Sequence, residues 1–140
     1  MTEVVSDTSF IDDIQESIQD ELSDVAFYAG IANESPDDIS RLIITSIIGD
    51  EYAHARTQAA LLHQENPESA GAPPMAPPPN TGYQEDILVA IAGETSAVAR
   101  YAELAAEAPT LTIRYLLTSI LGDEYGHIRT WYALLQNLDA

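Results

Sequence analysis

The strongest constraint on the fold is that the chain contains the same sequence twice. With an offset of 73 residues, positions 21–62 align without a gap with positions 94–135, and 23 of the 42 aligned pairs are identical. A repeat of this length that occurs only twice is unlike the arrays of shorter units that build solenoids. It predicts two copies of one supersecondary unit that face each other about a pseudo-twofold axis.

Each copy has the apolar spacing of a helical hairpin. Apolar residues recur at intervals of three and four along two segments of each copy, as expected for helices with one buried face. A short break that contains a proline separates the two segments, and no segment alternates as a strand would. The sequence therefore predicts an all-α fold, a four-helix bundle of two duplicated hairpins in a single domain, 1–140. The predicted helices span about 9–33, 36–64, 83–107 and 109–138.

A segment rich in proline, alanine and glycine, residues 66–82, joins the two copies. In a polyproline II conformation it reaches roughly 50 Å at about 3.1 Å per residue, whereas a helix of about 27 residues is roughly 40 Å long. The segment is therefore long enough to cross the full length of the bundle and to start helix 3 parallel to helix 2. The alternative is a flexible tether between two independent hairpins, which would leave the apolar stripe of each hairpin exposed.

Composition excludes several classes of function. The chain carries 23 acidic residues against five arginines and no lysine, for a formal net charge of −18, so a nucleic acid backbone would be repelled. The absence of cysteine excludes disulfides, zinc–thiolate sites, iron–sulfur clusters and thiol catalysis. We expect a cytoplasmic protein without a membrane segment, because no window reaches roughly 18 apolar residues and the N-terminus lacks the pattern of a signal peptide.

Polar side chains occupy six positions of the stripes where apolar residues are expected. A buried carboxylate is costly unless it is neutralised, paired or bound to a metal, and no arginine lies on these stripes. Two divalent cations would balance the four carboxylates, with the two histidines neutral. Within each Glu-x-x-His, the glutamate and the histidine lie on one face of the helix. The sequence therefore predicts a dinuclear metal site formed by Glu21, Glu51, His54, Glu94, Glu124 and His127.

This ligand set resembles that of the ferritin-like di-iron and di-manganese carboxylate proteins, in which two helices each provide a glutamate and two others each provide Glu-x-x-His. The segments "VAFYAGIA" and "DEYAHA" also resemble the rubrerythrin branch of that superfamily. The resemblance implies that Glu51 and Glu124 bridge two metal ions and that Glu21 and Glu94 are terminal ligands. Each metal ion would also bind one histidine, but the sequence leaves open which histidine shares a metal with which glutamate.

The resemblance also implies roles for four neighbours of the ligands. Asp50 and Asp123 correspond to acids that accept a hydrogen bond from a ligand histidine of the opposite helix. Tyr28 and Tyr101 correspond to tyrosines that hydrogen-bond a terminal carboxylate. The alternatives are that the aspartates are surface acids and that the tyrosines are core aromatics whose hydroxyls bond elsewhere. No catalytic residue beyond the metal ligands is predicted.

The sequence departs from the rubrerythrin pattern at two points. That branch adds a glutamate one turn beyond the ligand of helix 3, where this chain has Ala97, with Asp24 at the equivalent position of helix 1. These substitutions put the peroxidase geometry of that branch in question. The chain also lacks a cysteine-rich rubredoxin module, so the electron donor would be a separate partner.

Two glycines stand inside the predicted helices 2 and 4, at Gly49 and Gly122. A glycine inside a helix costs about 1 kcal/mol relative to alanine. We interpret both as sites of close helix packing, with room for dioxygen or peroxide as the alternative.

The predicted function is redox chemistry at a dinuclear non-haem iron centre. The chain would be an oxidoreductase that oxidises Fe(II) with O2 or hydrogen peroxide, in a ferroxidase or peroxidase reaction that serves oxidative-stress defence or iron handling. Manganese or a mixed Mn/Fe pair could replace the two iron ions. The alternative functions are a manganese catalase, oxygenation of a small substrate, metal storage, and a structural or regulatory bundle held together by metal. We expect a homo-oligomer, a dimer or larger, that binds neither nucleic acid nor membranes.

Overall fold

The computed structural model describes residues 7–138, which form four α-helices and no strand within that range. The helices are α1 at Asp7–Glu34, α2 at Asp38–Glu65, α3 at Tyr83–Glu107 and α4 at Leu111–Asn137. The all-α four-helix architecture predicted from the sequence is confirmed. In this part of the chain, no helix combines the length and the apolarity that crossing a membrane requires. The predicted domain limits also take in residues 1–6 and 139–140, which lie outside the described residues.

Two helices begin two residues later than the sequence predicts, because the residue after each proline caps the helix. Asp37 accepts a hydrogen bond from the backbone N–H of Ser40 at 2.8 Å, and Thr110 accepts one from that of Ile113 at 3.2 Å. A cap residue needs an extended backbone, and both Asp37 and Thr110 have one. The prolines therefore lie before the helices and not in their first turn.

The four helices form a ring in which neighbouring helices are antiparallel. α1 packs against α2 and α3, α4 packs against α3 and α2, and the pair α2 and α3 lies on a diagonal. Side-chain contacts set the direction of α3: Asp20 of α1 bonds Arg100 at 2.7 Å, whereas Tyr28, later in α1, bonds Glu94, earlier in α3. Since α2 and α3 are both antiparallel to α1, they run parallel, as the prediction of a long crossover requires.

Two apolar clusters fill the two ends of the bundle. One cluster joins the start of α1 and α4 to the end of α2 and α3, and the other joins the opposite ends of the same helices. Fully burying an aliphatic or aromatic side chain of this size stabilises a fold by about 1.5–3 kcal/mol. The two clusters thus hold the middle of the bundle from both sides, and a layer of buried polar residues lies between them.

The crossover segment, residues 66–82, follows a defined path along α1. Near the middle of the segment, Gln19 donates a hydrogen bond to the carbonyl of Pro73 at 2.8 Å. Near its end, Asn80 donates one to the carbonyl of Phe27 at 3.2 Å. The segment therefore advances along α1 as it crosses the bundle, and it does not behave as a loose tether between two independent hairpins.

Candidate metal centre

The six predicted ligands lie in one buried layer at the middle of the bundle. The four carboxylates are 0% exposed and the two imidazoles 5% exposed. α1 and α3 each contribute one glutamate, and α2 and α4 each contribute a glutamate and a histidine three residues apart. This spacing puts both side chains of a pair on the same face of the helix. The layer consists of Glu21, Glu51, His54, Glu94, Glu124 and His127.

The ligand atoms of this layer form two overlapping groups. The first group is Glu21, Glu51, His54 and Glu124, and the second is Glu51, Glu94, Glu124 and His127. Within each group the ligand atoms lie within 4.8 Å of one another. Glu51 and Glu124 belong to both groups, which is the arrangement expected of bridging carboxylates. The grouping also gives the pairing that the sequence leaves open, because Glu21 accompanies His54 and Glu94 accompanies the second histidine.

The buried ligand atoms approach one another closely without forming hydrogen bonds. His54 Nδ1 lies 2.8 Å from Glu124 Oε1 and 3.7 Å from Glu21 Oε2. In the second group, His127 Nδ1 lies 2.8 Å from Glu51 Oε1. Within the described residues, none of these five atoms has a partner in hydrogen-bonding geometry. A buried polar atom without a partner costs about 1–3 kcal/mol, and more when it is charged, so converging lone pairs of this kind fit a bound cation.

Each of the two predicted ligand histidines is oriented by an aspartate of the opposite hairpin. His54 Nε2 donates a hydrogen bond to Asp123 Oδ2 at 2.8 Å, and His127 Nε2 donates one to Asp50 Oδ2 at the same distance. With a carboxylate as acceptor, Nε2 carries the proton and Nδ1 turns towards the buried glutamates. Both aspartates therefore make the contact that the resemblance implies, although their side chains are also 53% exposed.

Each of the two tyrosines hydrogen-bonds a glutamate of the opposite hairpin that belongs to only one of the two groups. Tyr101 of α3 donates to Glu21 of α1, and Tyr28 of α1 donates to Glu94 of α3 at 2.7 Å. Both tyrosines are buried, and burial raises the pKa of both hydroxyls. The hydroxyls therefore stay protonated and act as donors, and the two bonds join α1 to α3 on either side of the layer.

The surroundings of the two tyrosines differ, and this difference is not among the sequence predictions. The Tyr101 hydroxyl also accepts hydrogen bonds from Ser17 at 3.0 Å and from Gln58 at 2.7 Å. At Tyr28, the position equivalent to Gln58 is Trp131, whose ring meets that of Tyr28 edge-on with centroids 4.9 Å apart. The sequence did contain a sign of this difference. Ser17 and Gln58 are polar residues on apolar stripes, whereas the equivalent residues of the second copy, Ala90 and Trp131, are apolar.

Without a cation, the two carboxylates shared by both groups, Glu51 and Glu124, favour the protonated form. Burial and the neighbouring carboxylates raise the pKa of Glu51 well above its usual range and that of Glu124 to about 10. Burial also acts to raise the pKa of Glu21, but close contact with Glu51, His54 and Tyr101 outweighs it and lowers that pKa. Burial opposes a charge on His54, yet the surrounding carboxylates raise its pKa to about 11. Protons on Glu51, Glu124 and His54 would therefore supply part of the positive charge that cations would otherwise supply.

The two positions at which the chain departs from the rubrerythrin pattern lie beside this layer. Ala97 is buried and offers no donor atom. Asp24, its equivalent in α1, is partly buried, and burial together with Glu21 and Glu94 raises its pKa to about 8. Asp24 belongs to neither group of ligand atoms. No carboxylate at these two positions therefore replaces the additional glutamate of that branch.

Within one chain, Gly49 and Gly122 do not serve the close helix packing that we predict for them. Both are exposed, and a Cβ atom at either position would meet no other atom within 4 Å. The prediction is wrong because these positions face outwards on α2 and α4 and not towards a neighbouring helix. They leave the surface open next to Asp50 and Asp123.

Comparison with known proteins identifies the fold. No protein-family model matches the chain, and no curated protein sequence matches it. A hypothetical protein from Pyrococcus furiosus superimposes with a TM-score of 0.83 at 20% identity, over 96% of this chain and 92% of that one. A ferritin-like, diiron-carboxylate protein from Bacillus anthracis strain Ames superimposes with a TM-score of 0.71 at 22% identity, over 91% of this chain and 96% of that one. The chain is thus a four-helix bundle of ferritin-like fold, and at these identities the similarity concerns the fold alone.

Proposed function

We propose that this chain is a dinuclear non-haem iron protein that performs redox chemistry with O2 or hydrogen peroxide. The observation that carries the proposal is the pair of overlapping ligand groups that share Glu51 and Glu124 in a fully buried layer. Buried carboxylates in this number need cations to neutralise them. Four carboxylates and two neutral imidazoles match two divalent cations in charge, and each cation would have three carboxylates and one histidine within reach.

The donor atoms favour a particular kind of metal. Carboxylate oxygens combined with imidazole nitrogens suit iron and manganese, and the chain has no cysteine to supply the thiolates that softer metal ions prefer. The Bacillus anthracis protein of the same fold is described as a diiron-carboxylate protein, which supports two iron ions here. Manganese or a mixed Mn/Fe pair would use the same ligands.

The residues around the layer would hold and shield the metal ions. Asp123 and Asp50 keep the two histidines in the orientation that exposes Nδ1, and Tyr101 and Tyr28 hold the terminal carboxylates. The apolar clusters on both sides exclude bulk water, which strengthens the attraction between the carboxylates and a cation. Bound iron would supply the electrons that reduce O2 or peroxide.

The proposed activity is of the ferroxidase or peroxidase type, in oxidative-stress defence or iron handling in the cytoplasm. We place the chain nearest to rubrerythrin-like domains, and its electrons would come from an external donor. A manganese catalase would have the same ligands and a different metal. Metal storage, or a bundle that metal merely stabilises, would use the site without turnover.

Metal analysis followed by single-turnover oxidation tests this proposal. The chain is purified without added metal, its metal content is measured, and the metal-free form is loaded with Fe(II) without oxygen. O2 or hydrogen peroxide is then added, and both Fe(III) formation and oxidant consumption are followed. Glu51→Ala removes a shared ligand, and Glu103→Ala, at an exposed acid of α3, is the matched control.

The proposal would be supported if the unmodified chain and Glu103→Ala each bound two iron ions and oxidised them faster than free Fe(II) is oxidised. Glu51→Ala should do neither. Release of O2 from peroxide by the manganese-loaded chain alone would favour the catalase. A large rise in Tm on metal binding, without consumption of Fe(II), O2 or peroxide, would favour a structural role. A chain that binds no iron or manganese would contradict the whole proposal.

A further inference from the structure

The outer side of α2 and α4 exposes large apolar side chains. We call it the α2–α4 face and define it by Ile39, Leu42 and Gly49 of α2 and by Tyr115, Ser119 and Gly122 of α4. Ile39 is 67% exposed, Leu42 64% and Tyr115 78%. Scattered apolar residues are normal on a protein surface, but an apolar strip that follows two adjacent helices marks an interaction surface.

Two grooves between α2 and α4 continue this face at its two ends. One groove, of about 290 Å³, runs between Ile43 and Ala133, and the other, of about 620 Å³, runs between Ala60 and Leu116. The repeat relates the two grooves, because Ile43 is equivalent to Leu116 and Ala60 to Ala133. They form because α2 and α4 make fewer contacts than any other neighbouring pair of helices. The face thus has an approximate twofold relation about its centre, although the two grooves differ in volume.

Charge distinguishes this side of the molecule from the rest of its surface. Between residues 39 and 64 of α2 and between 112 and 137 of α4, the only exposed acids are Asp50 and Asp123. The same two segments contain four of the five arginines of a chain whose net charge is −18. Elsewhere, two copies of the chain would bring acid against acid. On this side fewer acids would meet, namely Asp50, Asp123 and Asp37, which lines the smaller groove.

We propose that a second copy of this chain docks on the α2–α4 face to form a closed dimer. Because the internal repeat gives the face its own approximate twofold symmetry, two copies can form the same contacts at both ends, as a closed isologous pair requires. Two helices about 40 Å long and together about 20 Å wide present roughly 800 Å². A stable interface of standard size buries about 800 Å² on each partner.

The dimer accounts for two features that a single copy leaves without a purpose. Gly49 and Gly122 have no neighbour within 4 Å of a Cβ position, and the absence of side chains there lets a second backbone approach closely. Asp50 and Asp123 have half-exposed side chains although they orient the ligand histidines. A second copy would cover these carboxylates and keep water away from their bonds to the imidazoles.

Sedimentation velocity of the full chain tests the dimer at about 0.1 M and about 1 M NaCl, where the Debye length is about 10 Å and about 3 Å. We expect a species of twice the chain mass of 15.2 kDa, with tighter association at high salt because the acidic surfaces are then screened. Leu42→Glu and Tyr115→Glu each place a charge on the face, in different helices. Leu88→Glu makes the same change at a 50% exposed residue of α3, which lies outside the face.

Each face variant should raise the dissociation constant of the dimer at least about 100-fold, because it would bury a carboxylate in an apolar interface. Leu88→Glu should leave it unchanged, and circular dichroism should show the same helix content in all four proteins. A monomer at both salt concentrations would overturn the proposal whatever the variants do. So would equal weakening by Leu88→Glu, or face variants that dimerise as tightly as the unmodified chain.

Discussion

His54 of α2 donates a hydrogen bond to Asp123 of α4 at 2.8 Å, and the repeat reproduces this bond between His127 and Asp50. Both bonds cross from one hairpin to the other. The orientation of a histidine in one hairpin therefore depends on an acid in the other hairpin. Neither hairpin alone provides a complete group of candidate ligand atoms, since each group also includes a glutamate of the opposite hairpin.

Replacing Asp123 by alanine should weaken metal binding in the group that contains His54 by about 10–100-fold, because the imidazole loses the acceptor that sets its orientation. Titration calorimetry of the metal-free chain with Mn(II), which air does not oxidise during the titration, measures this change. Asp50→Ala should weaken the other position by a similar factor. Glu103→Ala, at an exposed acid of α3, should change neither affinity, and an unaltered affinity in Asp123→Ala would contradict the orienting role.

The two groups of ligand atoms predict different effects for shared and unshared glutamates. Glu51→Ala should abolish high-affinity binding of both metal ions, because Glu51 belongs to both groups. Glu21→Ala should weaken chiefly the ion that His54 binds and leave a binding stoichiometry near one per chain. Elemental analysis after dialysis against a weak chelator gives the stoichiometry. Loss of both ions in Glu21→Ala, or retention of one in Glu51→Ala, would reverse the assigned roles.

The fold could be predicted because the apolar periodicity and the duplication both indicate a four-helix bundle. A hairpin with one apolar stripe cannot bury that stripe alone, and the repeat supplies a second hairpin with a matching stripe. Glutamates on those stripes, at Glu51 and Glu124, then had to meet in the middle of the bundle. The starts of α2 and α4 were harder to predict, because Asp37 and Thr110 cap the helices after prolines that are themselves compatible with a first turn.

The partners of individual side chains could not be predicted, because they depend on which side chains of different helices meet. The pattern of a single sequence does not reveal those contacts. The grouping of Glu21 with His54 follows from the placement of α1 beside α2 at one height of the bundle. The bonds of Ser17 and Gln58 to Tyr101 follow from the packing of three helices. The apolar periodicity predicts only that these residues face inwards, and it does not predict which residues they contact.

The stability of the metal-free chain should fall as the pH rises from about 5 to about 9. An unfolded glutamate titrates near 4.3, whereas in the folded chain the pKa of Glu124 is about 10 and that of Glu51 is well above its usual range. In this window the native state therefore binds more protons than the unfolded state. Each additional native proton lowers the free energy of unfolding by about 1.4 kcal/mol per pH unit, or roughly 4–5 °C in Tm for a chain of this size.

Thermal unfolding of the metal-free chain at several pH values measures this slope, and Glu124→Gln, which keeps the shape and removes the titration, should flatten it. Metal binding should release the same protons, so metal affinity should rise with pH over that window. Calorimetric titrations in buffers with different ionisation enthalpies count the released protons. A Tm that rises with pH in the metal-free chain would contradict the raised pKa values of Glu51 and Glu124.

Gly30 lies where the crossover segment meets α1, and a Cβ atom there would overlap the side-chain amide of Asn80. Gly30→Ala should therefore destabilise the chain, although the same change in an open helix stabilises by about 1 kcal/mol. Gly93→Ala is the matched control, because a Cβ atom at Gly93 meets nothing within 4 Å. Urea unfolding should show a lower midpoint for Gly30→Ala and a higher one for Gly93→Ala. A higher midpoint in both would mean that the crossover segment moves aside at little cost.

Tyr101 and Tyr28 occupy equivalent positions of the repeat but should differ in what their hydroxyls contribute to stability. Tyr101→Phe would remove the donor to Glu21 and the acceptor for Ser17 and Gln58, whereas Tyr28→Phe would remove only the bond to one glutamate. A buried polar group left without a partner costs about 1–3 kcal/mol. Tyr101→Phe should therefore lower the free energy of unfolding of the metal-free chain by at least about 2 kcal/mol more than Tyr28→Phe does.

Urea unfolding of the metal-free proteins measures both losses. Tyr52→Phe, at a tyrosine of α2 that is 51% exposed, should stay within about 0.5 kcal/mol of the unmodified chain. Gln58→Leu should recover part of the loss in the Tyr101→Phe background, because it removes one of the two donors that would otherwise lack an acceptor. Equal losses in Tyr101→Phe and Tyr28→Phe would show that water replaces the missing hydroxyl on the Ser17 side, and that the two halves of the layer are equivalent in stability.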